Sequence, residues 1–403
     1  MVSKENKTSR VELPNELIEN ILSRLPSKYL LRFRCVCKSW NFLIAHDSTF
    51  RNLHLRNSNF NDDDNNNDPL WFRYESRPDH FWFRYESRPD HFYRPYGGKF
   101  WMCPKSFPNS NKNKPYQIPI ELNPPSINFI RSQIFGLCDG VIACLHWRRY
   151  NEDDCFISLW NPSIRKHHWV DLLNNYRLSS GTVTKYRILW TGFGLAVKTN
   201  DYKIVLVCQE PSTRVNCVFV YSLKTNQTTK VDTNLKPDSL TPIYRGAAYV
   251  NGACHWMMKA STVIYSFNLD TNCFRYINIP SKSSKSCLNG RLRVSISTWN
   301  HMLSFSEKTE SGLENVLNIW VTKDDDTSSE CWTLLKSVII IENRWWGRFG
   351  RCESWGIIYT SRLSSSSPSQ SFILDYKADE IGRCQLLTCP VNFAPLKDSL
   401  ILL

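Results

Sequence analysis

Histidines and cysteines are the residues of this sequence best able to do chemistry. His167 and His168 precede Trp169 and Asp171, and a group of this composition could hold a metal ion. Neighbouring side chains on a strand point to opposite faces, however, so we predict a strand end with solvated histidines. His255 has no carboxylate at a spacing that would fix it as a base, and we predict that it is an ordinary strand histidine.

Cys35 and Cys37 are the second candidate, as a pair of reactive thiols. Residues two apart on a helix face different directions, so both are predicted to be packing residues. The sequence also lacks a glycine-rich phosphate loop, an HExxH motif and a GxSxG motif. These patterns predict no catalytic residue, no metal and no cofactor, and they favour a protein that acts by binding.

The net charge and its distribution indicate which kind of partner the chain binds. The 403 residues carry a formal net charge of +13, but the Lys and Arg residues are scattered without a run. Nucleic acid, which is bound through clustered basic side chains, is therefore not predicted as a partner. An acidic protein surface fits this charge better.

The cysteines and the apolar runs indicate a compartment. The 15 cysteines are odd in number and irregularly spaced, without a CxxC pair, and the polar residues 1–10 are unlike a signal peptide. We therefore expect reduced thiols and a location in the cytosol, the nucleus or both. No apolar run approaches the roughly 18 residues that span a bilayer, so no membrane association is predicted.

Three short helices are predicted within residues 13–55. Pro14 suits the first helical position, Pro26 ends the first helix, and Ser27 is the expected cap of the second. Apolar residues recur at helical spacings in all three segments: Leu17, Ile18, Ile21, Leu22, Leu25, Tyr29, Leu30, Leu31, Phe33, Val36, Trp40, Leu43 and Ile44. Helices this short cannot enclose so many side chains, so an apolar face remains for the rest of the chain or for another protein.

A polar linker is predicted over residues 57–125. Residues 61–69 form a run of Asn and Asp that ends in Pro69, which is too polar to bury a core. Behind it the sequence WFRYESRPDHF occurs twice in tandem, at 71–81 and 82–92. Two copies are too few for a repeat architecture, so we interpret them as a duplication within an exposed connection.

Beyond residue 126 the apolar period changes to that of β-strands. A strand followed by a turn recurs five times, with the strands at 156–160, 218–223, 264–269, 317–321 and 372–376. Together with residues 399–403 as a closing strand, this spacing predicts a mainly β chain with a small N-terminal α domain, and a kelch-like β-propeller of about six blades. A twisted β-sandwich is the alternative, because irregular hairpins can also stack as two sheets.

The helical region resembles the F-box motif. The matching strings are LPNELI at 13–18, ILSRLP at 21–26 and CVCKSW at 35–40, and we assign residues 11–56 to this domain after a polar tail at 1–10. The resemblance implies docking on the Skp-type adaptor of an SCF ubiquitin ligase and, through it, on a cullin and a RING subunit. The residues carried over as adaptor-binding are Leu13, Pro14, Leu17, Ile18, Ile21, Leu22, Leu25, Pro26, Leu30, Leu31, Val36 and Trp40.

The β region, residues 126–403, resembles the F-box-associated domain of plant F-box proteins. The matching strings are GLCDG at 136–140, LWNPSIRK at 159–166, GFG at 192–194 with NDYKIV at 200–205, and VYSLKT at 220–225. The string SLILL at 399–403 is also similar to S-locus F-box proteins, which recognise pistil ribonucleases in self-incompatibility.

These resemblances imply a non-catalytic substrate-recognition subunit of an SCF-type E3 ubiquitin ligase that captures one or more target proteins. A β-propeller enzyme and a binding module that works without a ligase remain the alternatives. Target contacts are expected on loops between blades, where aromatic and Arg side chains make strong anchors. The candidates are Tyr176, Arg177, Arg344, Trp345, Trp346, Arg348 and Arg351.

Overall fold

A computed structural model gives the fold of the chain. It describes residues 13–60, 70–75, 99–103, 120–122, 131–147, 155–170, 186–210, 213–232, 247–258, 263–280, 294–299, 302–311, 314–322, 332–340, 345–346, 350–352, 356–362, 370–374, 381–383, 391–396 and 399–402. Within these ranges, no helix is both long enough and apolar enough to cross a membrane.

The N-terminal region contains four helices, one more than predicted. They are α1 Asn15–Ser23, α2 Ser27–Phe33, α3 Lys38–His46 and α4 Ser48–Phe60. Pro14 and Pro26 stand immediately before α1 and α2, so Ser27 is the first helical residue of α2 rather than its cap. Asp47 is the N-cap of α4, because its Oδ1 accepts the backbone N–H groups of Thr49 at 2.7 Å and Phe50 at 3.1 Å.

The rest of the described chain is β-structure. In chain order the strands are β1 Leu70–Glu75, β2 Lys99–Cys103, β3 Ile120–Leu122, β4 Arg131–Cys138, β5 Val141–Trp147, β6 Cys155–Asn161, β7 Lys166–Val170, β8 Arg187–Ala196, β9 Asp201–Gln209, β10 Asn216–Ser222, β11 Gln227–Val231, β12 Ala248–Val250, β13 Ala253–Met257, β14 Val263–Asn268, β15 Cys273–Asn278, β16 Val294–Trp299, β17 Met302–Ser311, β18 Glu314–Thr322, β19 Trp332–Ile340, β20 Trp345–Trp346, β21 Gly350–Cys352, β22 Gly356–Arg362, β23 Gln370–Leu374, β24 Ile381–Arg383 and β25 Val391–Leu396.

These strands form six antiparallel sheets, which we call blades. Blades 1 to 5 are consecutive in sequence: β4–β7, β8–β11, β12–β15, β16–β19 and β20–β24. The sixth, the closing blade, has the order β25-β1-β2-β3. The first strands of successive blades lie side by side, with β4 beside β8, β8 beside β12, β12 beside β16, β16 beside β21 and β21 beside β25. The prediction of a propeller of about six blades is confirmed, and the sandwich alternative does not form.

The five predicted strand-turn units are the third strands of blades 1 to 5, namely β6, β10, β14, β18 and β23. Their detection has a physical reason, since the turns use residues that tolerate positive φ. Asn226 and Asn272 follow β10 and β14 with φ of 53° and 56°. The turns between first and second strands use the same chemistry, with Asn200 at φ 49° and Asn251 at 45°.

The predicted linker over 57–125 needs correction. β1, β2 and β3 lie within it and form three strands of the closing blade, while α4 extends to Phe60. The fourth strand of that blade, β25, comes from the other end of the sequence and pairs with β1 from Leu70↔Leu396 to Glu75↔Val391. Residues 61–69 and the second duplicated copy, 82–92, lie outside the described residues.

The prediction that residues 399–403 form the closing strand is wrong. That strand is β25, and residues 399–402 form a turn beyond it. Ser399 and Leu400 are buried, and Leu400 packs in a cluster with side chains of the N-terminal helices. An apolar run of this length does not by itself distinguish a strand from a buried turn.

Apolar cores lie between neighbouring blades. Between blades 2 and 3, Trp190 and Trp256 pack with ring centroids 5.7 Å apart, and the Trp256 indole N–H donates to the Thr191 carbonyl at 3.0 Å. Gly192 permits this approach, because a Cβ built there would lie 2.8 Å from Trp256 Cζ2 and 2.9 Å from Cys254 Sγ. A side chain at Gly192 would therefore force the two blades apart.

We expect Gly192→Ala to lower the free energy of unfolding by about 1–3 kcal/mol, the usual cost of overpacking a filled core. Chemical denaturation followed by tryptophan fluorescence measures this change. Thr333→Ala on the exposed face of β19 is the control and should leave stability within about 0.5 kcal/mol of wild type. Equal stability of the two variants would contradict the close contact.

Candidate protein-docking site

The N-terminal helices share one buried core. Leu22 of α1, Leu30 of α2, Ile44 of α3 and Phe50 of α4 are each 2% exposed or less and pack together. Partly buried side chains surround them: Ile18, Leu25, Leu31, Phe33, Trp40 and Leu43. Because α1 turns one side inward to this core, the residues on its other side face outward.

The outward side of the same helices is also apolar. On α1, Leu17 and Ile21 are four residues apart and 51% and 53% exposed, and Leu13 precedes them in line. Val36, in the connection between α2 and α3, is 60% exposed. Several large apolar side chains left exposed on one group of short helices are typical of an interaction surface rather than of a solvent-facing helix. We call these residues, with Tyr29 and Phe42, the docking face.

The predicted adaptor-binding residues divide into three groups by exposure. The six exposed residues are Leu13, Pro14, Leu17, Ile21, Pro26 and Val36. The four half-buried residues are Ile18, Leu25, Leu31 and Trp40, and the two buried residues are Leu22 and Leu30. Leu22 and Leu30 lie in the helical core rather than on the exposed docking face, and adaptor binding by the twelve residues stays a prediction. Both side chains pack in the core, because short helices must bury one side against each other.

Sequence reasoning left two exposed residues out of the predicted site. Tyr29 on α2 is 47% exposed, and Phe42 on α3 is 63% exposed with its ring 5.8 Å from that of His46. The available signal was position, since Phe42 lies off the helix side that carries Trp40, Leu43 and Ile44. Helical spacing identified the apolar side of the helix that carries Trp40, Leu43 and Ile44, but it did not show that this side faces the core.

Basic side chains are also exposed on the helices that carry the docking face, and we call them the basic rim. Arg24, Lys28, Arg32 and Lys38 are all exposed, and Glu16 is the exposed acidic residue of the first turn of α1. Arg24 Nε donates to Asn20 Oδ1 at 2.9 Å, which leaves its charge at the surface. This rim favours a partner with acidic groups around an apolar patch.

The prediction that Cys35 and Cys37 are packing residues is wrong. Both are exposed, because α3 begins only at Lys38 and the two residues lie in the connection between α2 and α3. A hydrogen bond between Cys37 Sγ and Ser39 Oγ, 3.1 Å apart, is the main cause that lowers the pKa of this thiol. Two exposed thiols therefore flank Val36.

The histidine group is a blade contact. β7 contains His167 and His168, with His167 exposed and His168 half-buried. Tyr221 O–H donates to Asn226 Oδ1 at 2.6 Å, so the His168 Nε2, at 3.0 Å from the Tyr221 oxygen, is the donor to it. This contact joins blades 1 and 2. Among the described residues, no three His, Cys, Asp or Glu side chains are placed to hold a metal ion.

A buried His-Ser pair escaped the sequence analysis. His146 Nε2 and Ser158 Oγ are 2.7 Å apart on the paired strands β5 and β6, and both side chains are buried. Burial lowers the pKa of His146 to about 4. A serine hydroxyl at this depth is out of reach of a substrate, so the pair is structural. His255 is likewise a buried residue of a strand, β13.

The predicted target-binding residues fall in two places. Trp345 and Trp346 form β20, and Arg351 lies in β21, and both of these short strands pair with β22 in blade 5. Tyr176, Arg177, Arg344 and Arg348 lie outside the described residues. Target binding by these seven residues therefore stays a prediction.

The blade topology distinguishes two ends of the propeller. In each four-stranded antiparallel blade, the turns between first and second and between third and fourth strands lie at one end, which we call the turn end. Ile164, which packs on the helical core, lies in such a turn between β6 and β7. The connections from blade to blade leave from the opposite, loop end. The helices are therefore attached at the turn end.

Two protein families match the chain. The family described as the F-box associated beta propeller domain matches residues 103–358, and the F-box domain matches residues 11–52. The first match alone covers more than half of the sequence. The chain is an F-box protein of the F-box-associated β-propeller family.

Relatives from Arabidopsis thaliana agree with this assignment. An F-box/kelch-repeat protein is 23% identical over 346 residues, covering 82% of this chain and 80% of the relative. A second F-box/kelch-repeat protein is 26% identical over 290 residues, covering 68% and 67%. An F-box protein is 49% identical over 45 residues, or 11% of each chain. The chain is thus similar to plant F-box proteins over both domains.

The family supplies a coarse function. An F-box implies binding of a Skp-type adaptor, and its union with a β-propeller supports a substrate-recognition role in an SCF-type ligase. In that role the F-box protein is an adaptor subunit rather than the catalyst. The docking face described above contains the exposed large apolar side chains of this F-box.

The lowered pKa of His146 predicts a pH dependence of stability. The unfolded chain takes up a proton on this residue below pH 6.5, whereas the buried imidazole does so only near pH 4, so stability decreases as the pH falls through this window. His146→Gln should remove a loss of about 3 kcal/mol between these limits. Urea denaturation at several pH values measures the effect.

His167→Gln is the matched control for this measurement, because His167 is exposed on β7. Its stability should depend on pH as that of wild type does. An unchanged pH profile in His146→Gln would show that His146 titrates normally.

Proposed function

We propose that this F-box protein is the substrate-recognition subunit of an SCF-type E3 ubiquitin ligase. The docking face binds the Skp-type adaptor, the adaptor joins the chain to a cullin and a RING subunit, and the propeller holds a target protein. Ubiquitin transfer is then carried out by other subunits, without a catalytic side chain from this chain. The observation that carries the proposal is the set of large apolar side chains left exposed on the F-box helices, above all Leu17 and Ile21.

The size of the docking face is sufficient for a stable complex. Burying one large apolar side chain contributes roughly 1.5–3 kcal/mol, while association costs several kcal/mol of lost freedom. Six exposed side chains of this kind exceed that cost: Leu13, Leu17, Ile21, Tyr29, Val36 and Phe42. The basic rim adds orientation and speed of association with an acidic adaptor.

Target binding belongs, in this proposal, at the loop end of the propeller. The blade-to-blade connections at that end include residues 171–186 and 279–293, which are long enough to vary in sequence while the strands keep the core. Tyr176 and Arg177 lie in the first of them, and Trp345 and Trp346 follow the connection into blade 5. Aromatic and Arg side chains are the usual anchors of protein interfaces.

A finer version of the proposal concerns the target and the compartment. The similarity of residues 399–403 to S-locus F-box proteins supports a pistil ribonuclease as the target. Nine of the cysteines are free thiols in the described part of the chain, including the exposed Cys35 and Cys37, which supports work in the cytosol, the nucleus or both. Retention of a pistil ribonuclease by the purified chain would test the first point directly.

The proposal predicts the effect of charge on the docking face. A double variant with Leu17→Asp and Ile21→Asp should weaken binding of a purified plant Skp-type adaptor by about 100-fold or more, since two buried apolar contacts are lost. Isothermal titration calorimetry measures the affinity. Both positions are exposed, so the variant should fold like wild type.

Leu334→Asp is the control variant, because Leu334 is 44% exposed on β19, far in sequence from the F-box. Its adaptor affinity should equal that of wild type. If the wild-type chain does not bind the adaptor, or if the double variant binds it equally well, the ligase proposal fails. The propeller must then be tested as an independent binding module or enzyme.

A further inference from the structure

The core of the F-box is not made by the F-box alone. Two residues from outside it are buried in the same cluster, namely Ile164, from the turn between β6 and β7, and Leu400, which is 1% exposed. They contact the group formed by Leu22, Leu30, Ile44 and Phe50. Three separate parts of the sequence therefore supply one core.

Asn161, the last residue of β6, holds the backbone on both sides of Leu400. Its Nδ2 donates to the carbonyl of Ser399 and to the carbonyl of Ile401, each at 2.9 Å. Its Oδ1 accepts the backbone N–H of Ser163 at 3.0 Å, which fixes the orientation of the amide. Asn161 is fully buried, so water does not compete for these hydrogen bonds.

The two residues after Leu400 contact the propeller. Ile401 and Leu402 pack against the core shared by blades 1 and 2, and Leu402 also reaches the F-box cluster. Leu402 has φ 74°, a conformation that costs a leucine free energy and persists only where surrounding contacts impose it. Residues 399–402 thus contact both domains at once.

We propose that residues 399–402, together with Asn161, form a clamp that completes the F-box core and fixes the F-box on the turn end of the propeller. The clamp is a positioning element rather than a binding site. Its consequence in the ligase rests on the proposed function: it keeps the docking face at a constant distance from a target held at the loop end.

The experiment is hydrogen exchange followed by mass spectrometry on the full chain, with and without the Skp-type adaptor. Leu400→Asp should accelerate exchange in α1 to α4 of the free chain by about tenfold or more, because a charge replaces a core side chain. Asn161→Asp should act in the same direction, since it keeps the shape and the Ser163 contact but sets a carboxylate against two carbonyl oxygens. Leu334→Asp should leave these helices at the wild-type rate.

Exchange in β14 and β17, which lie in blades 3 and 4, is the internal reference and should stay at the wild-type rate in every variant. If Leu400→Asp also unprotects these strands, the milder Leu400→Ala is measured in its place, with the same expectation for the helices. Wild-type exchange in α1 to α4 of Leu400→Asp or Leu400→Ala, with β14 and β17 protected, would overturn the clamp.

Small-angle scattering of the adaptor-bound chain tests the fixed orientation. Leu400→Asp should give a larger maximum dimension than wild type, because the F-box and the propeller then move separately, and equal dimensions would overturn this part of the proposal. Adaptor affinity of the wild-type chain is measured alongside. If the wild-type chain does not bind the adaptor, the ligase proposal fails, whereas the exchange rates of the free chain still decide whether the clamp exists.

Discussion

The pairing of β25 with β1 is the constraint on which the rest of the structure depends. The propeller becomes a closed ring only when its last strand joins the first strands of the sequence in one blade. That closure is made by six paired residues, from Leu70↔Leu396 to Glu75↔Val391. Because β1 enters and β25 leaves at the turn end, closure brings the F-box and residues 399–402 to the same place. The shared core around Leu400 follows from this meeting.

Local sequence signals predicted the parts of the fold whose contacts are local. The third strands of five blades were recognised because a strand and its turn lie within a few residues, with Asn226 and Asn272 in the positive-φ region that such turns need. The helices were recognised because Pro14 and Pro26 mark their beginnings. β1 to β3 were missed because their inner partner, β25, is about as far away in sequence as the chain allows, and no period within residues 57–125 reports such a pairing.

The candidate site shows the same limit at the level of single residues. Leu17, Ile21, Leu22 and Leu30 all obey helical spacing, yet two face outward and two are buried. Spacing identifies an apolar helix without showing which side lies inside, because that choice depends on Ile164 and Leu400 from other parts of the chain. The contact between His168 and Tyr221 was equally invisible, since it joins two blades across 53 residues. Solvated histidines were predicted at this strand end, whereas His168 makes a hydrogen bond to Tyr221.

The position of the shared core also has a consequence for how the protein is made. During translation the F-box leaves the ribosome before the propeller, whereas β25 and Leu400 follow every other described element. Until then the nascent ring is open at β1 and the F-box lacks one of its six buried core side chains. A product that stops before residue 391 lacks both the closing strand β25 and Leu400, which fills part of the F-box core. β25 and Leu400 thereby distinguish a chain with a closed ring and a complete F-box core from one that was interrupted before them.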